Sequence, residues 1–417
     1  MKVYGGNGHR GNNKDSGSAA RRSSGTGSNN INNSQKGNNN TGASRKKAEP
    51  PPEPKKKGGK GVLIALLIIV ALIGGAYGYW VITTRPPDVG NDLENTGDQP
   101  DDALELIDTP TREIGRYYTV LVVGEDQLEE NTDTIMLARF DAVEKKVNIV
   151  SIPRDTVVNV PWKVKKINTV YYNGDNGIDS LMDEVKNITG FRPDNYVVVK
   201  TSVFEKVIDA LGGVWFDVPV DMDYGDYALL NSGESYEFTI NVKKGYQLLN
   251  GYDALGVFRF RQNNDGTGYA MGDIERLDTQ HDLIMAIAEQ ALKLNSIPKL
   301  YNMAQIVIEN SQTDLTIGNL QWYVQKFMQM SMDDISISTM PTVGSWINGL
   351  SYVTINVDEW MTVVNEELNP MKYEIKPENC AIMCQKSPEP TRDSLTPGNY
   401  YTTNGTETYT NFYKYVK

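Results

Sequence analysis

Thr119-Val120-Leu121-Val122-Val123-Gly124 is a continuous apolar run closed by glycine, and its β-branched residues suit a buried central strand. The chain on either side decides what kind of sheet that strand joins. Residues 134–140 and 147–152 have the same strand character, and 196–199, 214–218 and 252–260 read as further strands. Between them, 178–188 and 202–211 carry apolar residues at helical spacing, the second stopped by Gly212-Gly213, and 272–294 reads as a long helix. Strands alternating with helices predict one layered α/β domain over about residues 117–373.

The two ends of the chain differ in charge. Of the 41 Lys and Arg, 13 lie in residues 1–61, against 3 acids, Asp15, Glu49 and Glu53. The remainder holds 28 basic and 50 acidic residues, a formal −22, which points to two compartments. The divider is 61–82, which has no charged side chain and begins Val62-Leu63-Ile64-Ala65-Leu66-Leu67. At about 1.5 Å per residue this helix would span about 33 Å, enough for a bilayer core of about 30 Å. Lys55, Lys56, Lys57 and Lys60 precede it and Arg85 follows, so the positive-inside rule puts the N-terminus in the cytoplasm. Tyr77, Tyr79 and Trp80 suit an outer aromatic belt. The rival reading is a cleaved signal peptide, for which the apolar run is long.

Residues 1–60 are rich in Gly, Asn and Ser and too poor in apolar residues to offset chain entropy, so a disordered basic tail is expected. Its Gly6-Asn7-Gly8-His9-Arg10-Gly11 has the letters of a dinucleotide fingerprint without the strand and helix that give it meaning. The basic residues serve either as a topology signal alone or also as an attraction for anionic lipid headgroups. Residues 83–115, polar and acidic with Pro86-Pro87, Pro100 and Pro110, read as a spacer. Residues 116–375 then form the expected folded domain and 376–417 a C-terminal extension.

Three clusters in that domain could carry chemistry. Val150-Ser151-Ile152-Pro153-Arg154-Asp155-Thr156 is an apolar strand ending in an arginine, an aspartate and a hydroxyl. An arginine on a rigid turn suits phosphate or carboxylate, because its planar fork is pre-organised for two oxygens. Arg259 and Arg261, two apart on a strand, would share one face while Phe258 and Phe260 face the core; the alternative is a solvated edge. Arg276 and Gln280, four apart near a helix start, share a face where the helix dipole favours anions, unless Arg276 pairs with Asp273, Glu275 or Asp278. Arg154, Arg259, Arg261 and Arg276 together, in an otherwise acidic segment, suit a highly charged anion. Asp126 and Asp133 flank one loop and either converge on a hard cation such as Mg²⁺ or serve as turn residue and cap.

Absences narrow the reaction class. The histidines are His9, in the tail, and His281, so no Ser-His-Asp or Cys-His arrangement is expected in the domain, and no His-rich metal site. There is no Walker P-loop. Cys380 and Cys384 are too few for zinc and leave a small disulfide and two free thiols as open alternatives.

Over about residues 117–373 the chain resembles the LytR-CpsA-Psr family of membrane-anchored, extracytoplasmic enzymes of mainly Gram-positive bacteria. The residues that carry the resemblance are Gly124-x-Asp126, Asp133-Thr134, Ser151-Ile152-Pro153-Arg154-Asp155-Thr156, Lys166-Ile167-Asn168, Ala210-Leu211-Gly212-Gly213-Val214, Gly245-x-Gln247-x-Leu249-x-Gly251, Ala254-Leu255, Phe258-Arg259-x-Arg261 and Gly272-Asp273-x-x-Arg276-x-x-x-Gln280.

The resemblance implies a three-layer α/β/α domain with a central mixed sheet and an apolar lipid pocket, behind one transmembrane helix. It implies a single-pass cell-membrane protein with a cytoplasmic N-terminus and an extracellular catalytic domain. It further implies transfer of a phosphorylated glycopolymer, such as a teichoic acid or capsular polysaccharide, from a polyprenyl diphosphate carrier to a peptidoglycan hydroxyl. By motif, Arg154, Arg259, Arg261 and Arg276 would bind the diphosphate with Gln280 beside them. Asp126 and Asp133 would hold Mg²⁺, with Asp155 and Lys166 as supporting partners. Asp133 is also a candidate to take the acceptor's proton, a role at odds with tight metal ligation, so the base stays open. Where the family commonly has an arginine two residues before Asp133, this chain has Asn131. The competing function is a non-catalytic binder of the lipid-linked glycan or wall polysaccharide, which would keep the arginines and have no need of Asp133. A basic tail without a helix-turn-helix pattern gives no support to DNA readout. Residues 376–417 would either cap the domain or contact the wall.

Overall fold

The structure, a computed structural model, describes residues 84–89, 112–126, 131–229, 235–270, 273–293, 296–385, 400–409 and 411–412. The tail and the span expected at 61–82 lie outside these residues. Among the described residues no helix is long and apolar enough to cross a membrane.

In chain order the strands are β1 (Tyr117–Asp126), β2 (Asn131–Asp141), β3 (Lys146–Ser151), β4 (Asn195–Lys200), β5 (Val214–Val218), β6 (Met222–Leu229), β7 (Ser235–Val242), β8 (Gly245–Leu249), β9 (Gln312–Thr313), β10 (Ile335–Thr339), β11 (Thr342–Ile347), β12 (Leu350–Ile355), β13 (Met383–Gln385) and β14 (Tyr400–Thr402). The main helices are α1 (Ile178–Thr189), α2 (Thr201–Leu211), α3 (Gly251–Arg259), α4 (Asp273–Ala291), α5 (Ile297–Asn310), α6 (Ile317–Phe327) and α7 (Val357–Val363).

β1, β2 and β3 form an antiparallel meander at the centre of a six-stranded sheet of order β10-β3-β2-β1-β4-β9. β4 joins β1 and β10 joins β3 in parallel, so the sheet is mixed. The unbroken apolar run of β1 follows from cover on both faces. On one face Leu121, Val123, Ile135, Leu137 and Val150 pack with Leu181, Val185 and Ile188 of α1 and with Trp360 of α7. On the other, Tyr118 and Phe140 meet Trp322 of α6. Each fully buried aliphatic side chain of this kind contributes about 1.5–3 kcal/mol.

A second core lies apart from the first. It unites β5 and β8, the β6–β7 hairpin, α3, Ile208 of α2 and Leu283 of α4. Here β5 buries Val214, Phe216 and Val218 and exposes Trp215 and Asp217, the alternation of a two-stranded sheet with one covered face.

Three local expectations need revision or completion. Of residues 252–260, read as a strand, 252–259 belong to α3 and Phe260 caps its end. Asn250 caps this helix by accepting from the Asp253 N–H at 2.8 Å. Ala254, Leu255 and Val257 then turn onto the second core, with Phe258 packed against it. Gly251 starts α3 because a Cβ there would overlap the Glu205 backbone. The cysteines are two free, buried thiols, and burial pushes the Cys380 thiol up to about 12. The extension caps the domain: Cys380, Ile382 and Cys384 sit in the first core, and Tyr400 and Phe412 pack with Val157 and Tyr352.

Candidate functional site

β1 and β2 lose register next to Gly124. Gly124 pairs with Thr134 and Glu125 with Thr132, which leaves Asp133 as the extra residue of a bulge. Bulges re-aim the side chain they carry. Gly124 is required beside it, because a Cβ there would come within 2.9 Å of Thr134 Cβ.

At the end of β3 the chain turns sharply. The Thr156 N–H and hydroxyl both donate to Pro153 O, at 3.0 and 2.6 Å. The Asn168 N–H donates to Arg154 O at 3.2 Å and the Val353 N–H to Asp155 O at 3.0 Å. Arg154 and Asp155 therefore project from a backbone pinned on several sides. The Arg154 guanidinium donates to the Asp133 carboxylate, and the Lys166 ammonium pairs with Asp155 at 2.8 Å.

α4 supplies the opposite wall. Arg276 and Gln280 share its inward face and are 7% and 8% exposed. Asp133, Ser151, Arg154, Asp155, Arg276 and Gln280 all line one cavity of about 60 Å³. The Gln280 amide donates to Phe258 O at 2.8 Å, which ties α4 to the end of α3.

The other arginine pair is placed differently from the sequence expectation. With α3 helical, Arg259 and Arg261 share no strand face. Arg259 ends the helix with its guanidinium carbon 4.8 Å from the Phe238 ring centroid, whereas Arg261 is exposed. Neither lines the cavity. Phe258 and Phe260 do face the second core, as expected, but from a helix end.

The fold also brings a histidine of the domain onto a serine, a contact that the sequence reading did not include. His281 Nε2 lies 2.9 Å from Ser151 Oγ. β3 buries Val150 in the first core and turns Ser151 the other way, toward α4. Burial lowers the His281 pKa, while Asp278 and Asp282 on its own helix oppose that shift. The two residues are 130 apart in the chain, and no local pattern links them.

Behind the turn, Lys165 is fully buried and donates to Val160 O at 2.5 Å and Trp162 O at 3.0 Å. Burial brings its pKa down to about 8. The rings of Tyr409 and Phe412 lie beside it, at 5.7 and 5.4 Å. Asp126 ends β1 opposite Asn131, and their side chains are outside the described positions. Among the described residues there is no group of three or more His, Cys, Asp or Glu side chains suited to a metal.

Relatives of known sequence share this part of the chain. An uncharacterized protein of Staphylococcus aureus (strain NCTC 8325 / PS 47) is 28% identical over 244 residues, 58% of this chain and 56% of that protein. The chain thus spans little more than half of that relative. TagU of Bacillus subtilis (strain 168), named a polyisoprenyl-teichoic acid–peptidoglycan teichoic acid transferase, is 28% identical over 240 residues, 56% of this chain and 72% of that protein. The crystal structure of B. subtilis TagV has 24% sequence identity and a TM-score of 0.48, and covers 60% of this chain and 94% of its own. The model of the LytR_cpsA_psr family matches residues 94–369. With more than half of its length matched, the chain belongs to the LytR_cpsA_psr family.

Proposed function

We propose that this protein transfers a phosphorylated wall glycopolymer from a polyprenyl diphosphate carrier to a peptidoglycan hydroxyl, forming a phosphodiester link. The observation that carries the reading is the cavity where Arg154 and the buried Arg276 stand beside Asp133 and Gln280. Buried arginines are costly to desolvate and favour a partner of opposite charge. One water needs roughly 10–15 Å³ of such space, so a cavity of about 60 Å³ has room for a phosphoryl group. The polymer and the lipid then extend outside the cavity.

In this reading Arg154 and Arg276 hold the phosphate oxygens and neutralise charge as the acceptor oxygen attacks the sugar-proximal phosphorus. The lipid phosphate is the leaving group. Phosphoryl transfer depends mainly on positioning and electrostatic stabilisation, which fixed cations supply. Gln280 keeps α4 in register with α3, while Lys166 holds Asp155 and so steadies the turn that carries Arg154. Arg259 and Arg261, just past the Phe258 carbonyl that Gln280 grips, extend the cationic surface outward. Asp126 of β1 and Asp133 of the β2 bulge would hold a magnesium ion, since carboxylates are the hard oxygen donors this ion takes. When bound, the ion supplies further neutralisation of the diphosphate. Residues 61–82 serve as the membrane anchor, with the domain on the outer side.

The test incubates the full chain, in detergent micelles, with a short-chain polyprenyl diphosphate-linked glycan, peptidoglycan fragments and Mg²⁺. Mass spectrometry should detect a phosphodiester-linked product that is lost in Asp133→Ala. Donor binding without product, across every acceptor tried, would replace the transferase with a glycan-lipid binder.

A further inference from the structure

We propose that Ser151 and His281 form a proton relay for this site, in which Ser151 Oγ faces the acceptor hydroxyl and His281 Nε2 receives the proton. The inference rests on the transfer reading above and adds the group that reading lacks. Asp133, the candidate base from the motif, has its carboxylate engaged by Arg154. The serine hydroxyl lines the same cavity as Arg154, Arg276 and Gln280, and it touches the imidazole directly at 2.9 Å. His281 follows Gln280 by one residue, so the helix that presents the cavity's amide also presents the base behind it.

The chemistry balances without any further reactant. The acceptor oxygen forms its bond to phosphorus as the bond from phosphorus to the lipid phosphate oxygen breaks, and that electron pair leaves with the lipid phosphate. The acceptor's proton passes to Ser151 Oγ while the proton of Ser151 passes to His281 Nε2. His281 then returns its proton to water.

The surroundings suit that task. Desolvation keeps the imidazole neutral and able to accept. Asp278 and Asp282, both exposed on α4, stabilise the cation that forms. Across the interface, β3 presents Ser151 and its neighbour β10 presents the uncharged Thr339, paired to Ser151. A neutral imidazole is the active form, so the rate should fall as pH drops through the His281 value, which lies below the ordinary imidazole one.

The test measures single-turnover transfer by the full chain across pH, with short-chain polyprenyl diphosphate-linked N-acetylglucosamine as donor and peptidoglycan glycan strands as acceptor. His281→Gln keeps a hydrogen-bonding group and cannot hold a proton. It should lose about 100-fold in rate and lose the acid limb of the profile, with donor binding unchanged. Ser151→Ala should match it, and the double variant should be no worse than either. A His281→Gln protein that keeps the wild-type rate and acid limb overturns the relay. Should that variant fail to fold, a wild-type rate in Ser151→Ala overturns it equally. Wild type that makes no product removes the transfer reading and the relay together, whereas a wild-type product with unaffected variants removes the relay alone.

Discussion

Arg154 and Arg276 on one side, and Arg259 and Arg261 on the other, look equivalent as four arginines at element ends. In the folded protein the first pair lines a cavity, one of them bonded to Asp133 and the other almost fully buried. The second pair lies at and just past the end of α3 on the second core, Arg259 over the Phe238 ring and Arg261 in solvent. A cation held by surrounding structure meets its anion without further ordering, whereas an exposed one must give up side-chain entropy and compete with salt. The comparison teaches that depth and anchoring, more than charge, rank these residues.

That ranking can be broken by measurement. Arg276→Ala, which removes the most buried cation, should weaken binding of a short-chain polyprenyl diphosphate about 100-fold or more by calorimetry. Arg154→Lys keeps the charge and loses the fork that meets both Asp133 and a phosphate, and about 10-fold weaker binding is expected in the same assay. Arg259→Ala gives up one charge and its stack on Phe238, an effect of about 3–5-fold. Arg261→Ala should cost about 2-fold at low ionic strength and nothing at 0.5 M salt, where the Debye length drops to about 4 Å. Equal losses for Arg276→Ala and Arg261→Ala would sink the comparison.

Glu184 in α1 provides a control that separates stability from binding. Its carboxyl is buried and bonded by Asn187, and burial raises its pKa to about 7. The folded state therefore binds a proton more tightly than the unfolded chain, so this group stabilises below pH about 4.5, and that contribution fades as pH rises to about 7. Glu184→Gln should remove this pH dependence and raise stability at pH 8 by about 2 kcal/mol. Thermal unfolding at pH 5 and pH 8 checks it, and donor binding should not change.

Much of this architecture was legible along the chain. The strands β1 to β5 and the helices α1, α2 and α4 all follow from local runs whose period and stop signals lie in consecutive residues. The Val150–Thr156 turn was legible for the same reason, since Pro153 and Thr156 bond each other across three residues. The misreading at 252–260 has a specific source. Phe258-Arg259-Phe260-Arg261 alternates like a strand, but the Asn250 cap and the packing of Gly251 against Glu205 commit the preceding residues to a helix. A two-residue period over the four positions from Phe258 to Arg261 is too short to outweigh a capped start.

Local propensity, turn hydrogen bonds and motif spacing determined the central strands, the helix that carries Arg276 and Gln280, and the identity of the charged residues at their ends. Only the tertiary structure decided which arginines face the cavity, that Asp133 is bonded to Arg154, and that His281 meets Ser151 from 130 residues away. The division has a physical reason: short-range sterics and hydrogen bonds act between residues close in the chain, while burial, ion pairing and proton affinity depend on groups that folding brings together from far along it.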